Sequence, residues 1–293
     1  MSDRAPLLVV GDALLDRDLT GCAERLASDA PVPVVSDCED RVRPGGAALA
    51  AWLAARDDRD VTLVTAVGDD PASRELRRLV EPWLTLVPLP LSGALPEKTR
   101  ILAGDRPLVR VDHGTGRARD RTDEACAAIR SARSVFVSDY GRGAAEVLRD
   151  VLAERAPFVW DPHPRGGPPV PGTRLVSPTA KEARAFAGEG EGHVGHGHDD
   201  LRETARGAAA LVRRWQAGAV AVTLGARGAL LSYGDCPLLV PAPATHGGDS
   251  CGAGDRFAAT AAGLLADGAL VGEAVEGAVS AATAFVGRGG AGG

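Results

Sequence analysis

Short, unbroken apolar runs recur along this chain between stretches of helical spacing, and that alternation narrows the fold more than any other feature. The runs are Leu7–Val10, Val61–Val67, Val135–Ser138, Phe158–Trp160 and Val220–Leu224. Between them lie Gly46–Arg56, Ala72–Val80, Asp123–Ala132, Ala144–Glu154 and Leu201–Ala217, whose apolar residues return at helical intervals. Strands that are apolar on both sides need cover on both faces. The pattern therefore predicts an α/β fold with a central, largely parallel sheet flanked by helices. Two Ala-rich helices, Gly252–Asp267 and Gly272–Val286, are predicted to close the chain. Hydrophobic residues make up 45% of the 293, enough to cover both faces of such a sheet.

Two stretches break this rhythm. Thr20–Arg43 and Leu84–Asp112 are richer in Pro and alternate like strands, as in Thr99-Arg100-Ile101-Leu102 and Leu108-Val109-Arg110-Val111. They are predicted to form small antiparallel strands projecting from the sheet edge as a β-flap, or lid. The flap segments span about 17–43 and 84–112 of a single domain covering residues 1–293. Pro162–Gly172 is predicted as a loop, since Pro fixes φ and cannot sustain a ladder.

A net charge of −6 argues against a general nucleic-acid binder, which needs surplus cations to displace counterions. The N-terminal apolar run Leu7–Val10 is too short for a secretory signal, and no stretch approaches the ~20 apolar residues that span a bilayer. The five cysteines (Cys22, Cys38, Cys126, Cys236 and Cys251) show no zinc-like or thioredoxin-like spacing. Reduced thiols in a cytoplasmic protein are the expectation.

The segment richest in chemistry is Gly247-Gly248-Asp249-Ser250-Cys251-Gly252-Ala253-Gly254-Asp255, which opens the first of the two terminal helices. A Gly-Ala-Gly turn at a helix start exposes backbone N–H groups, and those donors together with the positive helix end favour an anion. Asp255 falls in the first turn, where its charge is favourable. A carboxylate beside an anion hole suits phosphoryl transfer, taking the proton of an acceptor hydroxyl while the amides hold the moving group. The plainer alternative is a capping acid after a tight turn; Asp249 adds a second carboxylate and favours the chemical reading. The stretch Gly93-Ala94-Leu95-Pro96-Glu97-Lys98-Thr99 is no Walker A loop, because Glu97 stands where a glycine must precede the Lys.

Asp249-Ser250-Cys251-Gly252-Ala253-Gly254-Asp255 resembles the signature of the ribokinase-like (PfkB) carbohydrate kinase family, and Pro44-Gly45-Gly46-Ala47-Ala48 resembles that family's diglycine motif. The likeness extends through Gly11-Asp12-Ala13-Leu14-Leu15-Asp16, Ala30-Pro31-Val32-Pro33, Val67-Gly68-Asp69-Asp70, Ser138-Asp139-Tyr140, Asp161-Pro162 and Val222-Thr223-Leu224-Gly225. Within the family these motifs are most similar to those of the heptose 7-phosphate kinases, which phosphorylate the anomeric hydroxyl. Many of those are fused to a nucleotidyltransferase domain, and none is expected within these 293 residues.

The resemblance implies a ribokinase-like fold, ATP and Mg2+ as cofactors, a sugar phosphate as substrate and a possible homodimer through the flap. It implies Asp255 as base and Gly252, Ala253 and Gly254 as anion hole. Asp12, Asp16, Gly45 and Gly46 would hold sugar hydroxyls. Thr223, Gly225, Gly228, Asp249, Gly252 and Gly254 would contact the nucleotide, and Glu182 and Asp249 would arrange the metal.

The chain departs from the family pattern where Asn is common: Leu49 after the diglycine, Thr179 in Thr179-Ala180-Lys181-Glu182, and Val279 in the last helix. His163 stands where Lys often follows Asp-Pro. Losing a polar contact at Leu49 leaves a substrate hydroxyl unpaired, at a cost of about 1–3 kcal/mol, enough to favour another sugar.

Lys98, Arg100 and Arg110 of the flap either reach a sugar phosphate or are exposed charges on a small sheet. Asp139 either meets a ligand or caps the following helix. His193, His196, His198, Asp199 and Asp200 are predicted to lie in a solvated loop, with a metal site as the alternative. Cys251 is accounted for as a small buried hydrophobe. The Gly-rich tail from Gly287 is predicted to fray.

Overall fold

The computed structural model describes residues 4–104, 106–188, 198–244 and 249–292. The chain opens with β1 (Leu7–Gly11), the long hairpin β2 (Ala13–Leu26) and β3 (Pro33–Gly46), α1 (Ala47–Arg56), β4 (Val61–Val67), α2 (Pro71–Val80) and β5 (Thr85–Ser92). It continues through β6 (Glu97–Ala103), β7 (Arg106–His113), β8 (Arg117–Ala118), α3 (Asp123–Ser131), β9 (Val135–Ser138), α4 (Ala144–Val147), α5 (Arg149–Glu154) and β10 (Val159–Asp161). The remainder is β11 (Leu175–Val176), α6 (Ala180–Ala187), α7 (His198–Trp215), β12 (Val220–Thr223), β13 (Ala229–Ser232), β14 (Leu238–Val240), α8 (Ala253–Ala266) and α9 (Val271–Gly287).

Ten strands form one sheet in the order β14-β13-β12-β11-β10-β9-β1-β4-β5-β8. From β12 to β5 every neighbour pair is parallel, and antiparallel strands occur only at the two ends. The apolar runs are buried on both sides, as their composition requires. Val9, Leu63, Phe136 and Val159 face α1, α2, α8 and α9. Val10, Val64, Val137 and Trp160 face α3 to α7. The chain leaves β1 outward through β4 and β5, then returns to β9 on the other side of β1. Strand order therefore reverses between β1 and β9, and the crevice at their carboxyl ends is where open α/β sheets bind ligands.

The flap differs from the expectation in two respects. It is a four-stranded sheet, β3-β2-β6-β7, in which β2 and β3 run from Ala13 to Gly46. Thr85–Ser92, assigned above to the flap, instead extends the main sheet beside β4. Its Pro residues are tolerated because it lies next to the short edge strand β8. Nor is the flap wholly antiparallel: β2 and β6 pair in parallel, because the chain passes through α1, β4, α2 and β5 before re-entering. A hairpin cannot join such a pair.

Other elements were not legible in advance. The expected helix Ala144–Glu154 is interrupted at Leu148, whose φ is −103° and whose side chain is fully buried. Helix α7 begins at His198, three residues before the predicted start, so part of the supposed loop is helical. His193 and His196 lie outside the described residues, as do Gly247 and Gly248. The tail does not fray at once: Gly290–Gly292 form a short turn, and Ala291 N–H donates to Cys251 O at 3.3 Å. No described helix is long and apolar enough to cross a membrane.

Candidate active site

Helix α8 starts on a glycine. Gly252 has φ of 80°, a left-handed conformation that an L side chain would strain, and no side chain caps the helix. The turn is closed by Ala253 N–H donating to Ser250 O at 3.0 Å. That consumes one of the three amides assigned above to the anion hole, so Ala253 is not a donor to a ligand here. Among the described residues, the N–H groups of Gly252 and Gly254 meet no acceptor. A Cβ on Gly254 would meet nothing within 4 Å, so the backbone there is open to a ligand. Two free amides at a positive helix end suit an anion.

Asp255 follows directly and is only 8% exposed. Its Oδ1 accepts a hydrogen bond from Tyr140 Oη at 2.8 Å. Burial raises its pKa to about 7; the Tyr140 bond and the charge of Lys98 partly offset that rise, and Asp16 adds to it. Burial, together with the charge of Asp255, holds the Tyr140 phenol well above its usual value, so it stays a donor. Tyr140 also stacks on His163, with centroids 6.2 Å apart, and lies 5.6 Å from Lys98 Nζ. Nearby Asp161 is pushed far up by burial and by the charges of Asp255 and Glu182, with Ser177 Oγ donating to it at 2.9 Å. A carboxylate poised near neutrality suits a general base.

The flap brings charge to the same place. Across β6, β2 and β3, Lys98, Asp16 and Arg43 stand in register. Asp16 is 5% exposed, its Oδ1 has no hydrogen-bond partner, and burial raises its pKa against the pull of Lys98, Arg43 and Arg100. Arg43 is equally buried; it pairs with Asp18 and keeps Nε and Nη2 unused. An unused acceptor beside unused donors, all buried, is what a polyhydroxyl ligand can satisfy. Gly45 makes room for it, since a Cβ there would lie 2.9 Å from the Asp16 carboxylate. Gly46 has φ of 57° and passes 2.6 Å (Cβ position) from Asp12 O, a fit that only glycine allows.

Arg100 is committed elsewhere. It lies 3.1 Å from Asp18 Oδ1 and 3.3 Å from Asp249 Oδ2, and donates to Cys251 Sγ at 3.0 Å, tying the flap to the turn before α8. Arg110 forks onto Asp112 on its own strand and is exposed, which matches the surface-charge alternative.

Several expected ligands serve the protein instead. Asp12 accepts backbone N–H groups from Tyr140 (3.0 Å), Arg142 (2.8 Å) and Ala144 (3.0 Å), so both its oxygens organise the loop 139–144 rather than a sugar. Asp139, just past the end of β9, lines a cavity beside α4 and α5, whereas Tyr140 reaches Asp255. Asp139 Oδ1 accepts the Gly141 N–H at 2.7 Å. Glu182 forms a capping box with Thr179 at the start of α6, both N–H and hydroxyl donating to its Oε2 at 2.8 Å. Asp249 accepts the Cys251 N–H at 2.9 Å besides pairing with Arg100, which leaves it poorly disposed to hold a metal. No described group of three or more His, Cys, Asp or Glu could hold a metal ion.

Thr223 ends β12, next to Thr179, which bridges to it, and Gly225 and Gly228 follow in the turn beyond. Gly225 (φ 61°) faces open space, whereas Gly228 (φ 94°) packs against Val240 O, so the first can meet a ligand and the second shapes the turn. The departures from the family pattern also find explanations. Leu49 is buried with Leu53 and Phe285 beneath Gly252, Thr179 caps α6, and Val279 is core. Sequence reasoning missed the roles of Tyr140, Asp161 and Arg43. Each stood inside or beside a quoted motif, but only the fold shows what they touch.

Comparison with known proteins adds an independent line of observation. Residues 168–293 match the model of the pfkB family carbohydrate kinases. The Bifunctional protein HldE of Streptomyces coelicolor is 72% identical over 290 residues, covering 99% of this chain and 62% of that protein. Over its C-terminal part the chain is similar to the pfkB carbohydrate kinases. The Azorhizobium caulinodans Bifunctional protein HldE is 34% identical, over 96% of this chain and 60% of its own. The chain thus spans about three fifths of the length of these relatives. In fold, it is similar to Arabidopsis thaliana ribokinase complexed with ribose and ATP (TM-score 0.72, 19% identity, 97% of this chain and 93% of that one). Thermotoga maritima ribokinase gives TM-score 0.73 at 21% identity, over 98% and 94% of the two chains. The fold is ribokinase-like.

Proposed function

We propose that this chain is a pfkB-family, ATP-dependent kinase that phosphorylates the anomeric hydroxyl of a heptose 7-phosphate or a closely related sugar phosphate. The observation that carries the reading is the buried Asp255–Tyr140 pair beside two unused amides, facing a flap that presents Asp16, Arg43 and Lys98. The heptose assignment rests on the sequence motifs and on relatives described as bifunctional, of which this chain matches one part.

In the proposed step, Asp255 accepts the proton of the acceptor hydroxyl. The freed oxygen bonds to the γ-phosphorus as the bond to the β–γ bridging oxygen breaks, and ADP leaves. Tyr140 donates to the carboxylate and keeps it ionised near neutral pH. The Gly252 and Gly254 amides stabilise charge on the moving group. Asp16 and Arg43 hold sugar hydroxyls, and Lys98 draws the phosphate-rich substrate to the cleft. Closure of the flap excludes water, the competing acceptor.

Mg2+ is expected with the ATP phosphates, where it shields their charge. Such an ion would be held mainly by the phosphates and water rather than by a dedicated set of protein ligands. Nucleotide contacts are proposed at Thr223 and Gly225. A single kinase domain working in the cytoplasm fits a reaction that draws on ATP and a sugar phosphate. Leu26, Val32, Leu108 and Val109 leave apolar area exposed on the flap, which a second copy of the chain would cover.

The reading is tested by ADP release against a panel of heptose 7-phosphates, hexoses, pentoses and nucleosides. Turnover is expected to be fastest with a heptose 7-phosphate. Preference for a nucleoside or an unphosphorylated hexose would replace the substrate assignment. Silence across the panel would leave a binding protein.

A further inference from the structure

On the sheet face opposite Asp255, beside α4 and α5, lies a cavity of about 340 Å3 that no step of the proposed reaction uses. Arg117, Arg149 and Arg165 line it, with Asp139, Glu146 and Trp160. The arginines are oriented mainly by backbone rather than neutralised. Arg149 donates to Pro168 O at 2.7 Å, and Arg117 donates to Gly141 O at 3.0 Å and lies 3.7 Å from the exposed Glu146 carboxylate. Arg165 makes no ion pair among the described residues. Just behind the wall, Arg142 is held below its usual range by burial and then by repulsion from Arg165 and Arg117. That is an excess of positive charge which the protein itself does not balance.

One hydrogen-bond contact is also missing on the polar side of the wall. Trp160 Nε1–H is buried and has no acceptor. Asp139 is 5% exposed and uses Oδ1 for the Gly141 N–H, while its other oxygen lies where a Cβ on Gly166 would come within 2.2 Å. The backbone at Gly166 thus lies tight against the carboxylate. An orphaned buried donor calls for a partner. A hydroxyl can donate to a carboxylate and accept from an indole N–H at once, whereas planar guanidinium forks match the oxygens of a phosphate.

We propose that this cavity binds the phosphate monoester of a small polyol, apart from the site of phosphoryl transfer. Arg149 and Arg165 hold the phosphate, and Asp139 and Trp160 meet a hydroxyl. The volume suits a small ligand. The loop that carries Asp139 also carries Tyr140, so an occupant bears on the Asp255 pair from behind the sheet.

Inorganic phosphate and glycerol 3-phosphate, titrated calorimetrically into the full chain with a non-hydrolysable ATP analogue present, test this directly. One saturable site is expected. The double variant R149Q/R165Q should weaken it by about 100-fold or more, as two charge-assisted donors are lost. R165Q alone, which breaks no ion pair, should weaken it by about 10-fold and guards against misfolding of the double variant. K98Q, altered in the flap, should leave it within about 3-fold, a change small on the affinity scale. Absence of saturable binding overturns the proposal, as does binding lost in K98Q but kept in R165Q. Because the readout is binding without turnover, failure here leaves the kinase reading untouched.

Discussion

Replacing Tyr140 with Phe removes one hydrogen bond and little else, which makes it a sharp probe of the proposed base. The Tyr140 hydroxyl donates to Asp255 at 2.8 Å in a buried setting and holds down a pKa that burial has already raised to about 7. A hydrogen bond to a charged group contributes roughly 1.5–3 kcal/mol, and one pH unit corresponds to 1.36 kcal/mol, so the carboxyl of Y140F should titrate at roughly 8–9. The base is active when ionised. Activity therefore rises with pH through the pKa, and the acid limb of kcat/KM moves upward by the same amount. At pH 7 the variant should be roughly 5- to 50-fold slower, recovering most of its rate near pH 10. The assay is coupled ADP release across pH 5.5 to 10, with ATP affinity measured alongside. An acid limb left at about 7, or a loss of rate equal at every pH, refutes the view that Tyr140 tunes Asp255.

Other substitutions separate architecture from chemistry. D12A strands three backbone N–H groups of the loop 139–144 and should cost about 3–5 kcal/mol of stability, read as a lowered midpoint in urea. An unchanged midpoint with only a raised KM would return Asp12 to the substrate site. G45A puts a methyl 2.9 Å from the Asp16 carboxylate and should raise KM for the sugar about 10-fold while sparing ATP binding. A KM unaltered by G45A would show that Asp16 does not meet the sugar.

Much of the layered sheet could be read directly from residues. Uninterrupted apolar strands such as Val61–Val67 and Val135–Ser138 cannot be buried on one face alone, so the parallel sheet follows from composition and spacing. Thr85–Ser92 was misplaced because its prolines and partial alternation resemble an edge strand, and nothing local says which sheet the edge belongs to. The parallel pairing of β2 with β6 depends on a crossover of seven tens of residues, which no window of sequence contains.

The same contrast holds in the site. The turn before α8 announces itself, because glycines at a helix start have few other uses beside an acid. Asp12 and Asp139 look like Asp16 in sequence, yet one is spent on amides and the other faces away. That difference arises from how the folded loop 139–144 is placed and from which of its backbone groups each carboxylate meets. Tyr140 meets Asp255 across 115 positions, a contact set only by the packing of α8 over β9 and β10.

The central claim is that Asp255 removes the proton from the acceptor. Its direct test is 31P NMR of the D255N variant and the parent protein, each incubated with ATP, Mg2+ and a heptose 7-phosphate. The parent should produce ADP together with a new sugar-phosphate resonance, and D255N should show neither while still binding ATP, a loss of at least about 100-fold. Turnover by D255N within a few-fold of the parent would contradict the account.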